Sequence, residues 1–176
     1  MRNSNAICAV LTVGALAVSA GSATADDQHN DKHKRPEVVR AFLAGQGEVP
    51  AVSTNATGRF RAVIDEDSQL ITYTLTYEGL EGGNTLFAHI HLGERHTNGG
   101  VMVFLCGGGT KPTACPNSGG EVTGSITPAD VVAIATQQVP AGAFDELLAA
   151  LRTPGLAYVN VHTTASPGGE IRGQVF

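Results

Sequence analysis

The sequence predicts an all-β fold, an antiparallel sandwich or barrel of Greek-key type carrying two short helices. Three observations support this. Short runs in which apolar and polar residues alternate recur at close spacing, and that period of two belongs to half-buried strands. The joins between the runs are rich in Gly, Asn, Asp and Ser, the residues of tight turns. Composition agrees, since 22 glycines, no tryptophan, six Phe and three Tyr in 176 residues favour many turns over long helices.

The first 25 residues stand apart from this pattern. Arg2 precedes an apolar run over residues 6–20, and Ala23-Thr24-Ala25 precedes Asp26, which is the layout of a secretory signal peptide cut after Ala25. The run is too short and wrongly flanked to persist as a membrane anchor. A secreted or periplasmic protein is expected, and Cys8 leaves with the peptide. Residues 26–37 are polar and charged and are expected as a disordered leader, with His29 and His33 solvated. One β domain over 38–176 follows, long enough to bury a sizeable core.

Strands are predicted over 38–44, 58–64 and 70–77. In the third, Ile71, Tyr73, Leu75 and Tyr77 alternate with Thr72, Thr74 and Thr76. The turn between the second and third carries Asp65-Glu66-Asp67-Ser68, where three acids form a solvated tip rather than a catalytic pair. Phe87, His89 and His91 then alternate with Ala88, Ile90 and Leu92, and after a polar loop ending Asn98-Gly99-Gly100 an apolar run over 101–105 completes a hairpin. Residues 121–126 read as a further strand. Thr127-Pro128-Ala129-Asp130 has the N-cap, proline and acid of a helix start. Phe144, Leu147, Leu148 and Leu151 lie at i, i+3, i+4 and i+7, a second helix with one buried stripe, stopped by Pro154-Gly155 and lying over an open end or face of the sheet. The C-terminal stretch, Ala157-Tyr158-Val159-Asn160-Val161-His162 and then Gly168-Gly169-Glu170-Ile171-Arg172, repeats the strand, Gly-Gly, strand plan of 85–106. In this echo His162 takes the place of His91, and Asn160 that of His89.

Cys106 and Cys115 flank eight residues. Without a Cys-x-x-Cys spacing, and in an exported chain, the pair reads as a disulfide rather than a thiolate metal site.

Net charge is −5, with no lysine or arginine cluster along the body of the chain. That leaves no electrostatic footprint for nucleic acid or anionic lipid, so polyanion partners are not expected and any partner is sought among proteins or other envelope components. No phosphate-binding loop, nucleophile elbow or His-Glu-x-x-His stands in the chain, and an enzyme is not expected.

His89 and His91 are the residues that point to chemistry. At i and i+2 of a strand they stand about 6.6 Å apart on one face, within reach of a single ion about 2.0 Å from each imidazole nitrogen. His162 completes a site if the two echoing hairpins pair, with Asn160 beside it and His96 in the loop as a further ligand candidate. Copper or zinc fits such donors, and binding weakens as protons compete near pH 6.5, the ordinary histidine pKa. The alternative is that these are polar-face residues hydrogen-bonded across strands.

Ala88-His89-Ile90-His91-Leu92-Gly93, with Gly99-Gly100-Val101 behind it, resembles the CHRD domain, the repeat unit named after chordin. The resemblance extends to Tyr158-Val159-Asn160-Val161-His162-Thr163, to Pro167-Gly168-Gly169-Glu170-Ile171-Arg172-Gly173-Gln174-Val175, and to the opening Phe42-Leu43-Ala44-Gly45-Gln46-Gly47-Glu48-Val49-Pro50. It implies an exported β domain whose molecular activity is poorly defined. The chain lacks the cysteine-rich modules with which chordin engages growth factors, so that activity is not carried over. The His-x-His strand also looks like the copper-binding strand of copper/zinc superoxide dismutases, but no counterpart of their zinc loop is present, and dismutase activity is not expected. The leading functional expectation is a non-enzymatic binding or interaction module, and the second is a metalloprotein using His89, His91 and His162.

Overall fold

Alternation along the strands decides which side chains enter the core. In the computed structural model, which describes residues 36–176, β1 (Glu37–Ala44), β2 (Thr57–Asp65) and β3 (Leu70–Glu78) form a meander. Val39, Ala41, Leu43, Phe60, Ala62, Ile71, Tyr73 and Leu75 turn inward from these strands, while the arginines of β1 and β2 turn out. The signal peptide expected at 1–25, Cys8, and the leader with His29 and His33 lie outside the described residues. Glu37, assigned to the leader from sequence, instead opens β1 and bonds the guanidinium of Arg152.

The hairpin of β4 (Thr85–Leu92) and β5 (Gly100–Cys106) lies beside the hairpin of β7 (Ala157–Thr163) and β8 (Ile171–Gln174), and β6 (Gly120–Ile126) pairs with β3. The order is β5-β4-β7-β8-β1-β2-β3-β6, all pairs antiparallel. The edge strands β5 and β6 come side by side, so the sheet is a nearly closed barrel. Tyr73 on β3 reaches across this seam and donates to the Leu105 carbonyl at 2.7 Å. Cys106, at the end of β5, is joined to Cys115 with Cα atoms 5.2 Å apart.

Helix α1 (Phe144–Arg152) buries Phe144, Leu147, Leu148 and Leu151 and exposes Asp145 and Glu146. Its last turn carries Arg152, which bonds Glu37 at the start of β1 and Glu66 in the turn after β2, so the helix sits over that end of the barrel. The helix start read at Thr127 is only a 3-10 turn, Pro128–Asp130. Its capping box forms, with Asp130 Oδ2 accepting from the Thr127 N–H. The chain then leaves the helical path at Val131, because the Val132 N–H is taken by the Met102 carbonyl of β5. Val132 is thereby committed to the sheet edge before a second turn can close. Among the described residues no helix is long and apolar enough to cross a membrane.

Candidate metal centre

Ala88 and Ile90 of β4, with Ala157, Val159 and Val161 of β7, face the barrel core. Their neighbours in sequence therefore face out. The register sets His89 opposite Asn160, His91 opposite Tyr158 and His162 opposite Phe87. Antiparallel pairing of the two hairpins thus places the three histidines on one patch. Their ligating nitrogens all lie within 4.8 Å of one another. His96 stays out of the cluster, exposed in the loop after β4.

This outer face is covered rather than open. Arg172 of β8 donates to the carbonyls of Thr97 and Glu94 at 2.9 Å each, holding the loop after β4 over the site. Asn98 ties the same loop to the Val49 carbonyl. Gly169 permits close approach from the other side: a Cβ there would stand 2.2 Å from Glu48 Oε1 and 2.8 Å from Asn160 Nδ2. As a result His89, His91 and His162 are only 4%, 7% and 6% exposed. The sequence pattern suggested one greasy and one polar face; both are buried.

Aromatic rings complete the enclosure. Phe87 lies 4.8 Å from His89 and 4.7 Å from His162 between centroids, and Phe104 presents an edge to His89 at 4.5 Å. Burial, with the neighbouring imidazoles His162 and His91 adding to it, pushes the pKa of His89 down to about 3. Burial also takes His91 down to about 4, against the opposing hydrogen bond to Gly99, and lowers His162. All three are therefore neutral near pH 7, the form that binds metals.

Hydrogen bonds then decide which nitrogen of each ring is available. A carbonyl can only accept, so His91 Nδ1 donates to Gly99 O at 3.0 Å and His162 Nδ1 donates to Pro167 O at 3.0 Å. Each ring is left with its lone pair on Nε2. His91 Nε2 and His89 Nε2 are buried and have no hydrogen-bond partner. His162 Nε2 lies 3.2 Å from His89 Nδ1 and 2.9 Å from Asn160 Oδ1, so an acceptor oxygen faces an acceptor nitrogen. Leaving buried polar atoms unpaired costs roughly 1–3 kcal/mol each, so this cluster is not a device for stability. A cation bound there would give the orphaned nitrogens of His89 and His91, and the Asn160 oxygen facing His162, a partner. The imidazole–carbonyl bonds are of the kind that orient histidines at metal sites.

A family model for the CHRD domain matches residues 39–175. The chain belongs to the CHRD domain family. No curated protein and no solved structure matches it, so the family establishes a chordin-like β domain and leaves its activity to the geometry. Every residue of the cluster falls inside the matched region of this CHRD domain. Sequence reasoning assigned no role to Glu48, Tyr158 or Arg172, although each stands in one of the motifs that carry the family resemblance. Glu48 is 7% exposed, its carboxyl pKa pushed up to about 7 by burial against the opposing pull of Arg172 and Asn160. Arg172 lies 3.4 Å over the Tyr158 ring.

Proposed function

We propose that this CHRD domain is a transition-metal-binding module in which His89, His91 and His162 hold one copper or zinc ion. The observation that carries the reading is the convergence of three buried, neutral imidazoles, two of them fixed by backbone carbonyls so that the lone pair lies on Nε2. Asn160, whose Oδ1 lies 2.9 Å from His162 Nε2, offers a further oxygen donor. Copper is favoured over zinc by the usual order of divalent affinities. The signal-like N-terminus and the Cys106–Cys115 bridge support a secreted or periplasmic location, where a disulfide persists.

Metal analysis and calorimetry on the purified protein test this. About one ion per chain is expected to survive dialysis, as three histidines form one site. His91→Ala and His162→Ala abolish that binding with the domain still folded, while His29→Ala with His33→Ala leaves it intact. No retained metal and no heat beyond dilution would sink the metal reading and leave the interaction module.

A further inference from the structure

Away from the histidines, β1 and β2 turn to solvent a face that packing does not explain. Pairing sets Arg40 directly opposite Arg61 and Phe42 opposite Arg59, and all four are exposed. Like charges directly opposite one another weaken an antiparallel pair. Among the described residues the ion pairs join Lys111 to Asp130 and Arg152 to Glu37 and Glu66, and none reaches these three arginines. Toward β3 the same face continues in hydroxyls, with Thr74 opposite Arg61 and Thr76 opposite Arg59.

On the other flank Phe176 exchanges two backbone hydrogen bonds with Arg40. That places its ring 5.7 Å from the ring of Phe42. The two rings are 57% and 56% exposed, and the Arg59 guanidinium lies 5.3 Å from the Phe42 centroid. Two grooves meet at Phe42, and Phe176 lines the second. One of about 410 Å³ contains Arg59, Thr76 and Glu78, and the other, of about 280 Å³, contains Arg95 and His96.

Guanidinium groups take planar carboxylates through paired hydrogen bonds. Exposed flat rings beside them offer apolar surface for the C–H face of a sugar, and the threonines offer partners for its hydroxyls. We propose that this face binds an acidic polysaccharide, a uronate-bearing chain laid across the exposed strands β1 and β2 with its rings on Phe42 and Phe176 and its carboxylates on Arg40, Arg59 and Arg61. A polymer with about one charge per sugar suits a protein of net charge −5, which repels densely charged polyanions more strongly. Glu78 in the groove and Glu121 opposite Thr76 likewise oppose a continuous ladder of phosphates.

The test is titration of the purified protein with alginate, a soluble polyuronate, at low ionic strength. Binding is expected that weakens with salt and is absent with neutral dextran. Arg59→Gln with Arg61→Gln should weaken it at least about tenfold, the scale of losing charge-assisted hydrogen bonds. Phe42→Ala should weaken it with the salt dependence unchanged, because it removes stacking and no charge. His91→Ala should leave it unaltered, which separates this face from the metal site, and melting curves report that each variant folds. Failure to bind alginate overturns the proposal, as does undiminished binding by the folded double-arginine variant. Equal or tighter binding of single-stranded DNA or anionic phospholipid vesicles also overturns it and assigns the face to those ligands.

Discussion

The rings of His91 and Tyr158 stack face to face, 4.5 Å apart between centroids and within 5° of parallel. The tyrosine is itself held, since its hydroxyl accepts the Gly99 N–H at 3.2 Å and Arg172 lies over its ring. Gly99 also supplies the carbonyl that fixes the His91 tautomer, so one residue orients both members of the stack.

Removing this support should loosen the metal ligand without deleting it. Tyr158→Ala is expected to lower copper or zinc affinity by about 10- to 100-fold, the range for contacts that orient a metal-binding histidine. Tyr158→Phe keeps the stack and loses only the hydroxyl, so its affinity should fall less. Calorimetry on the two variants decides the matter, and equal affinities in both and in the parent chain would show that His91 needs no such support.

Acid should destabilise the metal-free domain over a particular range. Unfolded histidine titrates near pH 6.5, whereas folded His89 and His91 titrate at about 3 and about 4. Between those limits the unfolded chain binds histidine protons that the folded chain refuses, so the contribution of these two histidines to stability falls as pH drops from about 6.5 toward 4 and is fully present above that window. Glu48, raised from 4.5 to about 7, acts in the opposite sense and offsets part of the slope. Denaturant melts at pH 7.5 and 5 measure the slope. It should flatten in His91→Gln, and a flat profile in the parent would mean that the imidazoles are solvated. The same depressed values move proton competition for the ion below the pH 6.5 expected from sequence, so the folded protein should retain metal at pH 5.5.

The bridge between Cys106 and Cys115 closes a loop of about ten residues, for which chain entropy predicts roughly 2–3 kcal/mol. It also lies at the seam of the barrel, where Tyr73 and Tyr77 donate to the carbonyls of Leu105 and Pro116. Reduction should therefore lower the melting temperature in one cooperative transition. Thiol labelling of the unfolded, unreduced protein should find neither of these two cysteines free.

Much of this protein was legible from local pattern alone. Alternation marked the strands, Phe144 and the leucines at i+3, i+4 and i+7 marked α1, and His-x-His named two members of the buried histidine cluster, because side-chain direction within a strand or helix depends only on nearby residues. What lay beyond sequence was decided by pairing and coverage. Only the register of β4 against β7 brings His162 to His89, and only the loops held by Arg172 and Gly169 turn an outward face into a buried, neutral cluster. The three arginines looked scattered along the chain until β1 paired with β2. Thr127 has every local signal of a helix start, yet a single hydrogen bond to Met102 redirects the chain after one turn. A local signal records the preference of a few residues, whereas pairing and burial follow the summed energy of contacts between segments distant in the chain.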